Sequence, residues 1–340
     1  MTSETEAEKV HVPFTELMDL AAELVGGRVL FASDDFFAEK ENLLKPGRGL
    51  FIPGKFTDKG KWMDGWESRR KRTSGHDACV VKLGIPGVVR GVDVDTHHFL
   101  GNFPESFRLE GCEHDGGVEP TLDPGGWTEL IPRTKLRGDS RNLVSVQSAR
   151  RWTHLRLAIH PDGGVARFRV HGEVLPERSL LLSRPLPVDL ASAENGGRVV
   201  ACNDAFFGPR DNLLLPGRAT NMGEGWETRR KRGPGNDWIV IRLALPGWID
   251  RAVVDTHHFK GNYPDRCSLE GTYLKSPPWD FNDAADVGWK PLLRETKLEA
   301  DQSHTFEGAV LENGRPVTHV RLSIYPDGGV SRLRLFGRPE

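Results

Sequence analysis

Hydrophobic positions along this chain recur mostly at intervals of two. In "VTHVRLSIYPDGG" (317–329), Val320, Leu322 and Ile324 fall on one face and His319, Arg321 and Ser323 on the other. That alternation predicts a strand with one buried face. Leu333 and Leu335 alternate with Arg332 and Arg334 just beyond it. "DWIVIRLALPG" (237–247) is a denser apolar run, rich in β-branched residues and closed by Pro-Gly. Pro-Asp-Gly-Gly combines a fixed φ with glycines that tolerate positive φ, which suits a tight reversal. Helical spacing is scarce. Its best instance is "FTELMDLAAELV" (14–25), where Phe14, Leu17, Met18, Ala21, Leu24 and Val25 precede a Gly-Gly stop. Many short strands separated by turns predict all-β sandwiches.

The pattern is written twice. "DLAAELVGGRVLFASDDFFAEKENLLKPGR" (19–48) matches "DLASAENGGRVVACNDAFFGPRDNLLLPGR" (189–218). "GWESRRKR" (65–72) matches "GWETRRKR" (225–232), and "VDTHHFLGNFP" (94–104) matches "VDTHHFKGNYP" (254–264). "RTKL" (133–136) matches "ETKL" (295–298), and "THLRLAIHPDGGVARFRVHG" (153–172) matches "THVRLSIYPDGGVSRLRLFG" (318–337). The first copy carries extra residues within "GLFIPGKFTDKGKWMD", including Lys55, Lys59 and Lys61. Two long copies are two similar domains, not a solenoid of short units. The expected domains are 1–180 and 181–340, with "LPERSLLLSRPLPV" (175–188) as the linker.

A length of 340 residues also fits two domains. Lys+Arg number 46 against 48 Asp+Glu, so no global affinity for nucleic acid or an acidic membrane is expected. The 38 glycines and 23 prolines favour short elements and turns. No apolar run approaches the ~20 residues of a membrane span, and "MTSETEAEKVHVPF" lacks the basic start of a secretory signal. Cys79, Cys112, Cys202 and Cys267 show no CxxC spacing, which fits reduced thiols in a cytoplasmic protein better than disulfides or a zinc site.

The ordered series "GGRVLFASDDFFAEKENLL", "DGWESRRKR", "GHDACVVKLGIPG", "DTHHFLGN" and "PDGG", met again in the second half, closely resembles the allantoicase family. The resemblance implies two tandem jelly-roll β-sandwich domains similar to galactose-binding domains. It also implies hydrolysis of allantoate to ureidoglycolate and urea, a step in purine-nitrogen recovery. One departure is "DACVV" (77–81), where the second copy has "DWIVI" and the family tends to have Trp; a packing change is expected there.

Allantoate carries one carboxylate and two ureido groups on a single carbon. Release of intact urea points to cleavage between that carbon and a ureido nitrogen, with acid assistance to the leaving group and a base for water. Such a site needs a guanidinium for the carboxylate, partners for ureido N–H and C=O groups, and a group titrating near neutrality. The repeated "ESRRKR" offers Arg70, Arg72, Arg230 and Arg232, with Glu67 and Glu227 beside them. A solvated basic edge strand is the competing reading. The repeated "DTHHF.GN" offers His98 and His258 as acid or base, Asp95 and Asp255 to orient them, and Asn102 and Asn262 for a ureido group. The family pattern leaves the first His position variable, which favours His98 and His258 over His97 and His257. A purely structural turn competes with this reading.

Asp34 and Asp204 complete the candidates, against a reading of "SDDFFAEKENLL" as surface acids beside buried phenylalanines. Asp34, Asp35, Glu39 and Glu41 lack EF-hand spacing, and no HExxH-type ligand pattern occurs, so no obligatory tightly bound metal is expected. His76 becomes Asn236 in the second copy, an asymmetry between the copies. The expected partners are allantoate and further copies of the chain, as a homo-oligomer. A non-catalytic tandem module for a sugar or similar polar ligand is the rival function.

Overall fold

A computed structural model describes residues 13–340, apart from 115, 117, 124, 177, 184–186, 277, 279–280, 282–286 and 313. Residues 1–12 of the segment read for a secretory signal and part of the expected linker therefore lie outside the described residues. The chain forms two compact units, Met1–Leu175 and Pro176–Glu340.

Each unit is organised by one 19-residue strand, Asp77–Asp95 in the first and Asp237–Asp255 in the second. The first part of Asp77–Asp95 runs antiparallel between Arg28–Ala32 and Trp152–His160. Its last part runs between Arg167–Val174 and Arg141–Ser145. One strand thus belongs to both sheets of a sandwich, and the crossing falls at "LGIPG" (83–87). Ser106–Cys112 and Thr128–Lys135 extend the first sheet beyond Trp152–His160. In the second unit Asp237–Asp255 is flanked in the same order by Arg198–Cys202, Val317–Tyr325, Arg332–Pro339 and Ser303–Glu307. The architecture is two tandem jelly-roll β-sandwiches.

Alternation supplies the cores. Val320, Leu322 and Ile324 are fully buried, as are their counterparts Leu155, Leu157 and Ile159. The opposite face is less wet than alternation predicts: His319 and Ser323 are also buried. Arg321 on that face stacks on Trp289 and pairs with Glu270. The Ala78/Trp238 difference falls here too. Ala78 is buried, whereas Trp238 is half-buried and lines an outer-face cavity with Glu270 and Arg321.

The helix expected over 14–25 does not form. The segment is a 3-10 turn (Pro13–Glu16), a two-residue edge strand (Met18–Asp19) and a second 3-10 turn (Glu23–Val25). Tertiary pairing overrides the spacing. Met18–Asp19 joins Arg167–Val174, and the Asp19 carboxylate accepts the N–H groups of Ala21 and Val170 at 3.1 and 2.9 Å. The Gly-Gly stop does act, with Gly26 taking φ +94° at the end of the second turn.

The four cysteines are free thiols. Burial pushes Cys112 up to about 11 and Cys267 up to about 12, so neither is a ready nucleophile.

Candidate active site

Three repeated phrases meet at the end of the long strand. After Asp95 the chain turns sharply: Thr96 Oγ1 donates to the Arg137 carbonyl at 2.6 Å, and Phe99 N–H bonds the Thr96 carbonyl at 2.9 Å. His98 takes φ +67°, a left-handed conformation uncommon for a non-glycine residue. Asp139 supports it by accepting the His98 N–H at 2.8 Å. Phe99 is thereby driven under the surface against Met63 and Ala166. The Pro-Asp-Gly-Gly reversal lies against this ring. A Cβ at Gly164 would sit 1.9 Å from Phe99, so glycine is required there. Gly164 N–H donates to the Asn102 carbonyl at 2.7 Å, and Gly164–Val165 pairs with the short strand Trp66–Glu67. The second unit repeats the platform, with Gly329 N–H on the Asn262 carbonyl at 2.8 Å and His258 at φ +71°.

On this platform Asn102 Nδ2 donates to Glu67 Oε1 at 2.7 Å, and Asn262 bonds Glu227 in the same way. Burial pushes the Glu67 carboxyl above the ordinary carboxylate range, against the opposing pull of the Asn102 hydrogen bond and the Lys61 charge. A cleft of about 350 Å³ beside the first pair is lined by Phe37, Lys61, Met63, Glu67, His98 and Asn102. A cleft of about 570 Å³ beside the second is lined by Phe207, Glu227, Arg230, Asn262, Tyr263 and Asp327. The two share the equivalents of Phe37, Glu67, Gly101 and Asn102. Each repeat therefore has an acidic-amide pair at a cleft floor, flanked by histidine in one copy and arginine in the other.

Behind the floor lies a charged cluster that differs between the copies. In the first, Arg48 grips buried Asp95 with two bonds of 2.8 Å, and Asp95 also accepts the His97 N–H at 3.0 Å. His97 Nδ1 turns to Asp139 Oδ1 at 2.9 Å. His98 bonds the Gly49 carbonyl; burial and the neighbouring His97 hold it below the usual histidine range. In the second, Arg218 leaves the aspartate and reaches His257 Nε2 at 2.6 Å, while His257 Nδ1 bonds Asp255 at 2.5 Å. His258 Nε2 donates to the Ala219 carbonyl at 3.0 Å, which leaves Nδ1 as its acceptor nitrogen.

The family model described as "Allantoicase repeat" matches residues 18–175 and again 188–340. This chain belongs to the allantoicase family. A protein named probable allantoicase 2 from Burkholderia pseudomallei is 52% identical over 321 residues, covering 94% of each chain. A probable allantoicase from Pseudomonas aeruginosa is 49% identical over 331 residues, covering 97% of this chain and 98% of its own. The crystal structure of allantoicase from Saccharomyces cerevisiae superposes with a TM-score of 0.79 at 33% identity, covering 95% of this chain and 93% of that one.

Against this allantoicase framework the sequence candidates fall into three groups. Glu67, His98 and Asn102 line one cleft, and Glu227, Arg230 and Asn262 line the other. Arg70, Arg72 and Arg232 are exposed. They lie past the end of the two-residue strands Trp66–Glu67 and Trp226–Glu227, outside any strand. Asp34, Asp204, Asp95 and Asp255 line neither cleft. Asp34 instead fastens the basic segment, accepting Arg69 N–H at 3.1 Å and Arg69 Nε at 2.7 Å, while its carbonyl takes the Trp66 indole at 2.8 Å. Asp204 does the same for Arg229 and Trp226. Lys71 folds inward onto buried Asp77 at 2.6 Å.

Sequence reasoning passed over Arg48, Arg218, Asp139 and Asp301. Their signal was present in the duplication, in "PGR" (46–48, 216–218) and in "TKLRGD" and "TKLEAD" (134–139, 296–301).

Proposed function

We propose that the chain hydrolyses allantoate to ureidoglycolate and urea, as an allantoicase acting in purine-nitrogen recovery. The Glu–Asn pair at the floor of both clefts is the observation that carries the site assignment. With Asn102 Nδ2 committed to Glu67 Oε1, the Asn102 Oδ1 and Glu67 Oε2 atoms are both acceptors. Two acceptors side by side suit the N–H groups of a ureido arm. Arg230, which lines the second cleft, would take the substrate carboxylate through a bidentate guanidinium contact. His98 would exchange the protons.

In this reading His98 protonates the departing ureido nitrogen while its bond to the central carbon breaks. The second ureido nitrogen donates its electron pair to that carbon, leaving a transient N-acyliminium cation. Water then adds to the same carbon, losing its proton to the base, so one water is consumed and one urea leaves. Asp95, held by Arg48 and bonded to the His97 N–H, would act by positioning the turn.

No helix among the described residues is long and apolar enough to cross a membrane. A cytoplasmic location agrees with the reduced cysteines.

Incubating the purified chain with allantoate at about pH 6–9 and assaying urea and glyoxylate tests the activity. Absence of urea across that range would favour a binding module. Running the reaction in oxygen-18 water tests the bond broken: label is expected in ureidoglycolate, and label in urea would overturn the mechanism.

A further inference from the structure

The two repeats carry the same residue types around the left-handed histidine but use them differently. In the first, His97, His98 and Asp139 place one ligand-type atom each within 4.8 Å of one another. The His97 and His98 rings stack with centroids 3.7 Å apart, and Asp139 lies exposed at their edge. In the second, the corresponding His257 and His258 rings stand 6.4 Å apart. Arg218 there occupies the His257 ring nitrogen, and Lys260 Nζ lies 3.8 Å from Asp301. The first repeat lacks both cations at these places: Arg48 is drawn onto Asp95, and Leu100 stands where the second copy has Lys260.

We infer that His97, His98 and Asp139 form an exchangeable site for a borderline divalent cation of the Zn²⁺, Co²⁺ and Ni²⁺ class, present in the first repeat alone. Two imidazoles and one carboxylate suit such ions, whereas Mg²⁺ and Ca²⁺ prefer oxygen ligands throughout. The Gly49 carbonyl on the His98 ring is the kind of outer partner that orients a ligating imidazole. Three protein ligands leave positions for water, and exposure makes the ion replaceable. In the second repeat the Arg218 and Lys260 charges stand where the ion would be, which excludes it electrostatically. The site shares His98 with the reaction proposed above, so a bound ion would compete with proton transfer there, and the test reads metal binding without relying on activity.

The test uses the full chain, stripped with a chelator and titrated with Co²⁺ at constant neutral pH. Visible absorption reports imidazole ligation and calorimetry the stoichiometry. One Co²⁺ per chain is expected, with affinity reduced at least about tenfold in His97→Gln and in Asp139→Asn, and unchanged in His257→Gln. Thermal melts confirm that each variant is folded. No Co²⁺ binding by the wild-type chain, unchanged affinity in both first-repeat variants, or loss in His257→Gln instead would each overturn the assignment.

Discussion

Asn102 and Glu67 lie 35 positions apart and are joined side chain to side chain, and Asn262 and Glu227 repeat the bond at the same separation. The pair ties the turn after the long strand to the short strand that precedes the basic cluster. It also fixes which atoms face the cleft, because an amide that donates to a carboxylate must turn its oxygen outward. The geometry of recognition is thus set before substrate arrives.

Removing the donor exposes the cost of that arrangement. In Asn102→Ala the half-buried Glu67 loses its only side-chain hydrogen-bond partner among the described contacts. A hydrogen bond to a charged group is worth about 1.5–3 kcal/mol, so kcat/KM for allantoate should fall by about tenfold to a hundredfold. Steady-state kinetics measure it, and an unchanged kcat/KM would place the cleft outside the reaction.

The pH dependence follows from the direction of the Glu67 shift. Burial raises its pKa, so on acidification it takes up a proton earlier than an ordinary carboxylate. Protonation removes the acceptor that holds a ureido N–H. KM should therefore rise as pH falls through a window beginning above about 4.5, and Glu67→Gln should flatten that limb. A KM profile unchanged by the substitution would contradict the assignment.

Charge recognition separates the arginines. Arg230 lines a cleft, whereas Arg232 is exposed outside it. Arg230→Met should raise KM by about tenfold or more through loss of a charge-assisted contact, and Arg232→Met should leave KM within about twofold, as for a screened surface charge. Arg230→Lys should recover only part of the loss, since an ammonium cannot make the bidentate contact. Equal effects at both positions would point to a general electrostatic role.

The duplication, the all-β class and the motifs that converge were legible because alternation, turn residues and repetition are local properties of a sequence. The fate of 14–25 was not, since its spacing fits a helix and only the distant strand Arg167–Val174 makes it an edge. The basic cluster shows a similar limit. Composition marks "SRRKR" as one feature, yet the fold sends Arg69 to Asp34 and Lys71 to Asp77 and leaves Arg70 exposed. His98 was legible as a candidate, but the partner that stabilises its left-handed backbone, Asp139, lies 41 positions away. Pairings at such separations leave no periodic trace.

The platform beneath the cleft has its own test. Gly164→Ala would press a methyl group into the Phe99 ring. Overpacking of this kind costs about 1–3 kcal/mol. Calorimetric scans should show a lower melting temperature for Gly164→Ala and for its counterpart Gly329→Ala, where a Cβ would again lie 1.9 Å from Phe259. Unchanged melting would mean the rings move aside without cost.

The most direct measurement is the rate of urea release from allantoate by the wild-type chain and by the Glu67→Gln, Glu227→Gln double variant. Glutamine keeps the shape of both floors but turns a carboxylate acceptor into an amide. The expected result is steady urea release by the wild type and a loss of about a hundredfold or more in kcat/KM in the folded double variant. Wild-type rates in that variant would contradict the placement of the reaction in these clefts.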